Sequence, residues 1–87
     1  MFYYIYLIQH TGTKEKYLGR TDDLTKRLRE HNSKGQKHTT RSIDGEWVYV
    51  YAEAFRSKQD ALNREAQLKD HGAGKRELFK RLENSLV

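Results

Sequence analysis

The sequence predicts an α+β domain: a three-stranded antiparallel sheet flanked by three helices, in the order β-β-α-β-α-α. Three observations carry this. The N-terminal stretch is apolar at both parities, a second β-branched and aromatic stretch lies mid-chain, and the leucines between and after them recur at helical spacing. With 87 residues the chain has room for one small domain, and residues 1–87 are read as a single unit. Only 36% of the residues are hydrophobic, but 11% are aromatic. Each large ring buries roughly 150–250 Å², so a small aromatic core is feasible.

Phe2-Tyr3-Tyr4-Ile5-Tyr6-Leu7-Ile8 reads as a strand covered on both faces, hence the central one. His10-Thr11-Gly12-Thr13 has turn chemistry, and Glu15 to Gly19 resumes a strand, which makes a β-hairpin. If those four residues are the loop, Gln9 opposes Lys14 and Tyr6 faces Tyr17 directly. Thr21-Asp22-Asp23 offers N-cap oxygens for a helix to about Asn32, with Gly35 ending it. Ser33 to Gly45 is polar and without periodicity, and reads as a long basic loop. Trp47 to Ala52 is the third strand. Ser57 and Asp60 open a helix that carries Ala61, Leu62, Glu65 and Leu68 to about His71; Gly72-Ala73-Gly74 breaks the chain, and Leu78, Phe79 and Leu82 mark a last helix ending near Asn84.

Cysteine is absent, which excludes disulfide scaffolds, cysteine zinc sites and thiol catalysis and makes the cytoplasm the expected compartment. The longest apolar run, Met1 to Ile8, falls far short of the roughly 20 residues of a membrane span. Charge is concentrated. Lys26, Arg27, Arg29, Lys34, Lys37 and Arg41, opposed only by Glu30, supply a surplus equal to the +5 of the whole chain, and His31 and His38 lie among them. Such a patch suits a polyanion and favours nucleic acid over a neutral small molecule or a membrane surface.

Several polar groups fall where the pattern asks for apolar ones. Arg27 and His31 share a helix face with Leu24 and Leu28, Glu65 interrupts its own apolar stripe, and Tyr6 and Tyr17 face one another. A half-buried glutamate needs a partner: a salt bridge to Arg27 or Arg64, or a metal ion. The tyrosines alone could be an ordinary core pair, and His31 a cation near the helix C-terminus. Taken together, the five are the parts for phosphodiester cleavage. A carboxylate holds a divalent ion, a guanidinium grips the phosphate, and a phenol or imidazole takes a proton from water, although a tyrosine base needs its pKa of about 10 lowered.

Tyr4-Ile5-Tyr6, Tyr17-Leu18-Gly19, Arg27, His31 and Glu65, in that order, resemble the GIY-YIG nuclease domain, in particular its small single-domain bacterial branch, from about Phe2 to about Asp70. Tyr4 stands where the family has its first-motif glycine, and Asn84 is the only late asparagine for the polar residue that follows the metal glutamate. The resemblance implies the same sheet-and-helices fold and a metal-dependent endonuclease that cuts DNA with one divalent ion, Mg²⁺ or Mn²⁺, in repair or processing. It implies that Tyr6 and Tyr17 supply the base or orient the attacking water, that Arg27 grips the phosphate, that His31 assists proton transfer and that Glu65 holds the metal. Gly19 would allow close approach after the strand. Lys26, Arg29, Lys34, Lys37, His38 and Arg41 are the expected contacts to the DNA backbone. Larger members carry a separate targeting domain. A chain of this size is therefore expected to select branched or single-stranded DNA by shape and charge, with any targeting left to a protein partner. The rival reading is a nucleic-acid-binding module with a vestigial site.

Overall fold

The computed structural model describes residues 1–38, 45–70 and 72–87. Strand β1 (Tyr3–His10) lies between β2 (Lys16–Thr21) and β3 (Trp47–Phe55), both antiparallel to it. Helix α1 (Leu24–His38) packs on one face of this sheet; α2 (Lys58–Asp70) and α3 (Gly72–Arg81) pack on the other. The α+β order is the one expected from the sequence. β1 is apolar at both parities because alternate residues serve different faces. Ile5 and Leu7 join Leu18, Ala61, Leu68, Leu78 and Leu82 in the hydrophobic core, while Tyr6 and Ile8, equally buried, point toward α1. No helix among the described residues is long and apolar enough to cross a membrane.

The hairpin register differs from the expected one by two residues. Gln9 pairs with Lys16 and Tyr6 with Gly19, not with Tyr17. Two features lengthen the loop. Lys14 adopts the left-handed region at φ 67°, and the His10 ring accepts the backbone N–H groups of Gly12 and Thr13 through Nδ1 at 3.1 Å each. An even shift preserves parity, so Tyr17 still shares a face with Tyr6 and meets it diagonally, with ring centroids 6.2 Å apart.

Asp23 caps α1. Its side chain accepts the Lys26 N–H at 3.0 Å and its carbonyl the Arg27 N–H at 3.0 Å. Gly35 does not end this helix, which continues through Lys34, Gln36 and Lys37 to His38 and so takes up the first part of the expected loop. Glycine stops a helix only where the backbone turns left-handed, and good helix formers flank it here. Residues 39–44 of that loop lie outside the described residues.

β3 runs on to Phe55, three residues past the expected end, and carries an irregularity opposite Leu7 and Ile8. This bulge separates two tyrosines that strict alternation would place together. Tyr49 turns to α1 and donates to the Leu24 carbonyl at 2.5 Å, whereas Tyr51 turns to α2 and donates to Glu53. Burial raises the Glu53 carboxyl, but bonds from Arg64 and Tyr51 outweigh it and hold it below the usual range. Ser57 caps α2 as expected, its Oγ accepting the Asp60 N–H at 3.3 Å. α2 and α3 are separate helices, as expected, but Gly72 and Gly74 belong to α3, which ends at Arg81, earlier than expected. A Cβ at Gly74 would lie 3.2 Å from the Gln67 carbonyl oxygen, so this glycine serves the close approach of α3 to α2.

Candidate active site

Helix α1 lays Arg27 and His31, one turn apart, over the middle of the sheet, where Tyr6 rises from β1 to meet both. The Tyr6 hydroxyl lies 2.8 Å from His31 Nε2, and Arg27 Nε donates to the same oxygen at 3.1 Å. An arginine can only donate, and the phenol oxygen has room for a second bond, so the hydroxyl joins Arg27 to His31 in one chain whose sense at Nε2 follows the His31 tautomer. Gly19 makes room for it: a Cβ there would stand 2.6 Å from the Tyr6 hydroxyl oxygen. Burial raises the Tyr6 pKa, opposed by the bond and charge of Arg27 and reinforced by Tyr17 and Glu65. Bonds to Tyr6 and then to Glu30 keep the Arg27 guanidinium more firmly protonated than usual, against its partial burial.

Tyr6 is wholly buried, while Tyr17 is 40% exposed and packs its ring on His31 at 4.9 Å between centroids. Tyr17 is therefore the phenol of the pair that solvent reaches. Tyr49, which the sequence did not single out, closes the cluster from β3 with its ring edge-on to Tyr6 at 5.6 Å. The bulge that aims it leaves no sequence signal. Burial, followed by the nearby Tyr6, pushes the Tyr49 pKa up to about 12. The Tyr51 pKa is raised by burial and by its bond to Glu53. Phenols raised in this way favour the folded state below the ordinary tyrosine value of about 10 and lose that contribution as pH rises above it, for Tyr49 through about 12. Ultraviolet titration should find three of the six tyrosines, Tyr6, Tyr49 and Tyr51, ionising above the range seen in denaturant. Ionisation of these three in the native protein within the range seen in denaturant would contradict this packing.

Glu65 acts on the cluster through its charge, which helps raise the Tyr6 pKa, and takes its bonds elsewhere. It projects from α2 to the outer strand β2, where Arg20 Nε holds Oε1 at 3.1 Å and Lys69 Nζ holds Oε2 at 3.1 Å. The expected partners were Arg27 or Arg64. Arg27 is engaged by Tyr6 and Glu30 on the other side of the sheet, and Arg64 forks onto Glu53. Burial pushes the Glu65 carboxyl up, but the bonds from Lys69 and Arg20 outweigh it and hold it below the usual range. An open cleft of about 330 Å³, lined by Tyr3, Arg20, Lys26, Arg27, Glu30 and Lys58 among others, links the two sides: Arg27 forms one wall and Arg20, the partner of Glu65, another.

A carboxylate is the hard oxygen donor that a Mg²⁺-type ion takes once or twice from a protein, filling its other positions with phosphate oxygens and water. Among the described residues no three His, Asp or Glu side chains converge. An ion on Glu65 would displace Arg20 or Lys69 from it. Of the expected DNA contacts, Lys26 and Arg29 are exposed on α1, and Lys26 lines the cleft. The side chains of Lys34, Lys37 and His38, and the whole of Arg41, lie outside the described residues.

Residues 2–77 match the sequence profile of the GIY-YIG catalytic domain. The chain belongs to the GIY-YIG family. A UPF0213 protein of Streptococcus pneumoniae serotype 4 is 39% identical over 64 residues, which cover 72% of this chain and 63% of that protein. This GIY-YIG chain thus spans less than two thirds of that relative's length. A UPF0213 protein of Streptococcus agalactiae serotype V is 40% identical over 68 residues, 76% of this chain and 73% of the relative. One from Haloquadratum walsbyi is 30% identical over 77 residues, 87% and 83% of the two chains. The solution NMR structure of a UPF0213 protein from Bacillus halodurans superposes with a TM-score of 0.56 at 27% identity, covering 94% of this chain and 85% of that one. The GIY-YIG fold of a three-stranded sheet and three helices is therefore common to this chain and a solved relative.

Proposed function

We propose that this GIY-YIG domain is an endonuclease that hydrolyses DNA phosphodiester bonds with one bound Mg²⁺ or Mn²⁺, selects substrates by shape more than by sequence, and serves DNA repair or processing. The observation that carries the reading is the chain Arg27–Tyr6–His31 beside the exposed phenol of Tyr17. Arg27 commits Nε to Tyr6 and Nη1 to Glu30, which leaves Nη2 for a phosphate oxygen in the cleft. Tyr17, the accessible phenol, orients the attacking water or takes its proton. Tyr6 does not meet solvent; it aligns Arg27 with His31 and gives His31 a hydrogen-bond partner. A divalent ion on Glu65, when bound, supplies positive charge against the phosphate and the leaving oxygen. Lys26 and Arg29 hold the strand through its backbone, so binding weakens steeply with salt.

One observation favours a second reading, a nucleic-acid-binding module without cleavage: both Glu65 oxygens already carry cationic partners. A panel of labelled duplex, single-stranded, flap and four-way-junction DNAs separates the two. With Mg²⁺ or Mn²⁺ the wild type should cut at least one substrate; chelator should stop it, and Glu65→Gln should abolish cleavage while leaving binding intact. Cleavage unchanged in Glu65→Gln would remove Glu65 from the mechanism, and binding without cleavage of any DNA would favour the module.

A further inference from the structure

Beyond Tyr17 and His31, which serve the reaction, a row of rings continues to Trp47 and His10, which the reaction does not use. From His31 it passes to Trp47 at 6.3 Å between centroids, and from Trp47 to His10 at 5.4 Å. Tyr17 and His31 are 4.9 Å apart. The alternation of β1 and β2 and the register of the first residues of β3 place His10, Tyr17 and Trp47 on the face that α1 covers, beside its third turn. Every contact in the row is tilted or edge-on, at 53° to 81°, so none of these rings is stacked flat on its neighbour. A core cluster would be sealed, as Tyr6 is, but Tyr17 is 40% exposed and His10, His31 and Trp47 are partly exposed.

Trp47 is also held in place. The Asn32 side chain accepts its backbone N–H at 2.7 Å and donates to its carbonyl at 3.3 Å, tying the first residue of β3 to the helix position after His31. A ring on an anchored backbone, packed against His31 and His10, loses little freedom when something stacks on it. The surroundings are cationic: exposed Lys26 and Arg29 belong to the same helix, within the segment that carries the chain's charge surplus. Aromatic faces beside backbone-binding cations are what an unpaired nucleobase requires, whereas a base pair in a duplex offers only its edges.

We propose that the Tyr17–His31–Trp47–His10 row is a stacking platform for an unpaired base of a DNA strand whose backbone passes the Arg27 cleft, which makes single-stranded or frayed DNA the preferred substrate. The proposal rests on the nuclease reading above for its ligand class. Trp47 is the only tryptophan in the chain, so its fluorescence reports the platform directly.

The test titrates the full chain, with chelator present to prevent cutting, against a short oligothymidylate, an abasic strand of equal length and a duplex. Oligothymidylate should quench Trp47 and bind about tenfold more tightly than the abasic strand, which should bind without quenching. Trp47→Leu should remove this advantage, read by anisotropy of the labelled strand, and Trp47→Tyr should restore most of it. If Trp47→Leu does not fold, the contrast between strands in the wild type decides alone. Equal affinity for thymidylate and abasic strands with unchanged fluorescence overturns the platform and leaves the nuclease reading intact. Failure to bind any strand at low salt overturns both.

Discussion

Replacing Arg27 with alanine is expected to lower DNA cleavage by about 10²–10³-fold, the usual loss when a preorganised donor to the developing charge is removed. The same substitution also takes the donor from the buried Tyr6 oxygen, and with it the influence that opposes burial in setting the Tyr6 pKa. The phenol then becomes still harder to ionise. Folding should suffer less than chemistry, by about 1–3 kcal/mol for the lost bond to the buried Tyr6 oxygen together with the more exposed pair with Glu30, so a thermal melt taken beside the cleavage assay separates the effects. Arg27→Lys keeps the charge without the planar fork and cannot serve Tyr6, Glu30 and a phosphate in the same geometry, so it should recover only part of the rate. Cleavage by Arg27→Ala within a few-fold of wild type would remove the guanidinium from the mechanism.

Gly19→Ala is the second large effect, and it acts through space, not charge. The new Cβ would lie 2.6 Å from the Tyr6 hydroxyl oxygen, 2.7 Å from its Cζ and 2.9 Å from Tyr17 Cε2. Tyr6 cannot step aside, because Tyr49 and His31 pack against its ring at 5.6 and 5.8 Å between centroids. Overpacking of this kind costs about 1–3 kcal/mol, measurable by denaturant unfolding. Any shift that relieves it moves the Tyr6 oxygen off Arg27 and His31, and a displacement near 1 Å can cost about 10²-fold in rate. A variant with wild-type stability and rate would show that the ring is less confined than its neighbours imply.

The architecture was legible because hydrophobic parity and leucine spacing are local signals. Tyr6, Tyr17, Arg27 and His31 were legible as polar groups on apolar faces, and the fold brings them together. What escaped was geometry that depends on one backbone angle or on a distant contact. The hairpin register turned on the left-handed Lys14, a conformation more often taken by glycine or asparagine. Tyr49 entered the site through a bulge, and no spacing rule announces a bulge. The anomaly at Glu65 was visible, but its partner Arg20 lies 45 positions away on another element, a pairing only the tertiary structure creates.

The alternating sides of β1 have a consequence for how such a protein can change. Ile5 and Leu7 hold the sheet to α2 and α3, while Tyr6, between them in sequence, serves α1. One short strand therefore acts as a partition wall, with structural support behind it and, Glu65 of α2 apart, a workshop in front. The furnishings of the front room can be exchanged, new rings and charges admitted along α1 and the ends of β2 and β3, while the foundations behind stay as they are. A small chain built in this way is a ready starting point for divergence, because novelty and integrity are inherited by different faces of the same few residues.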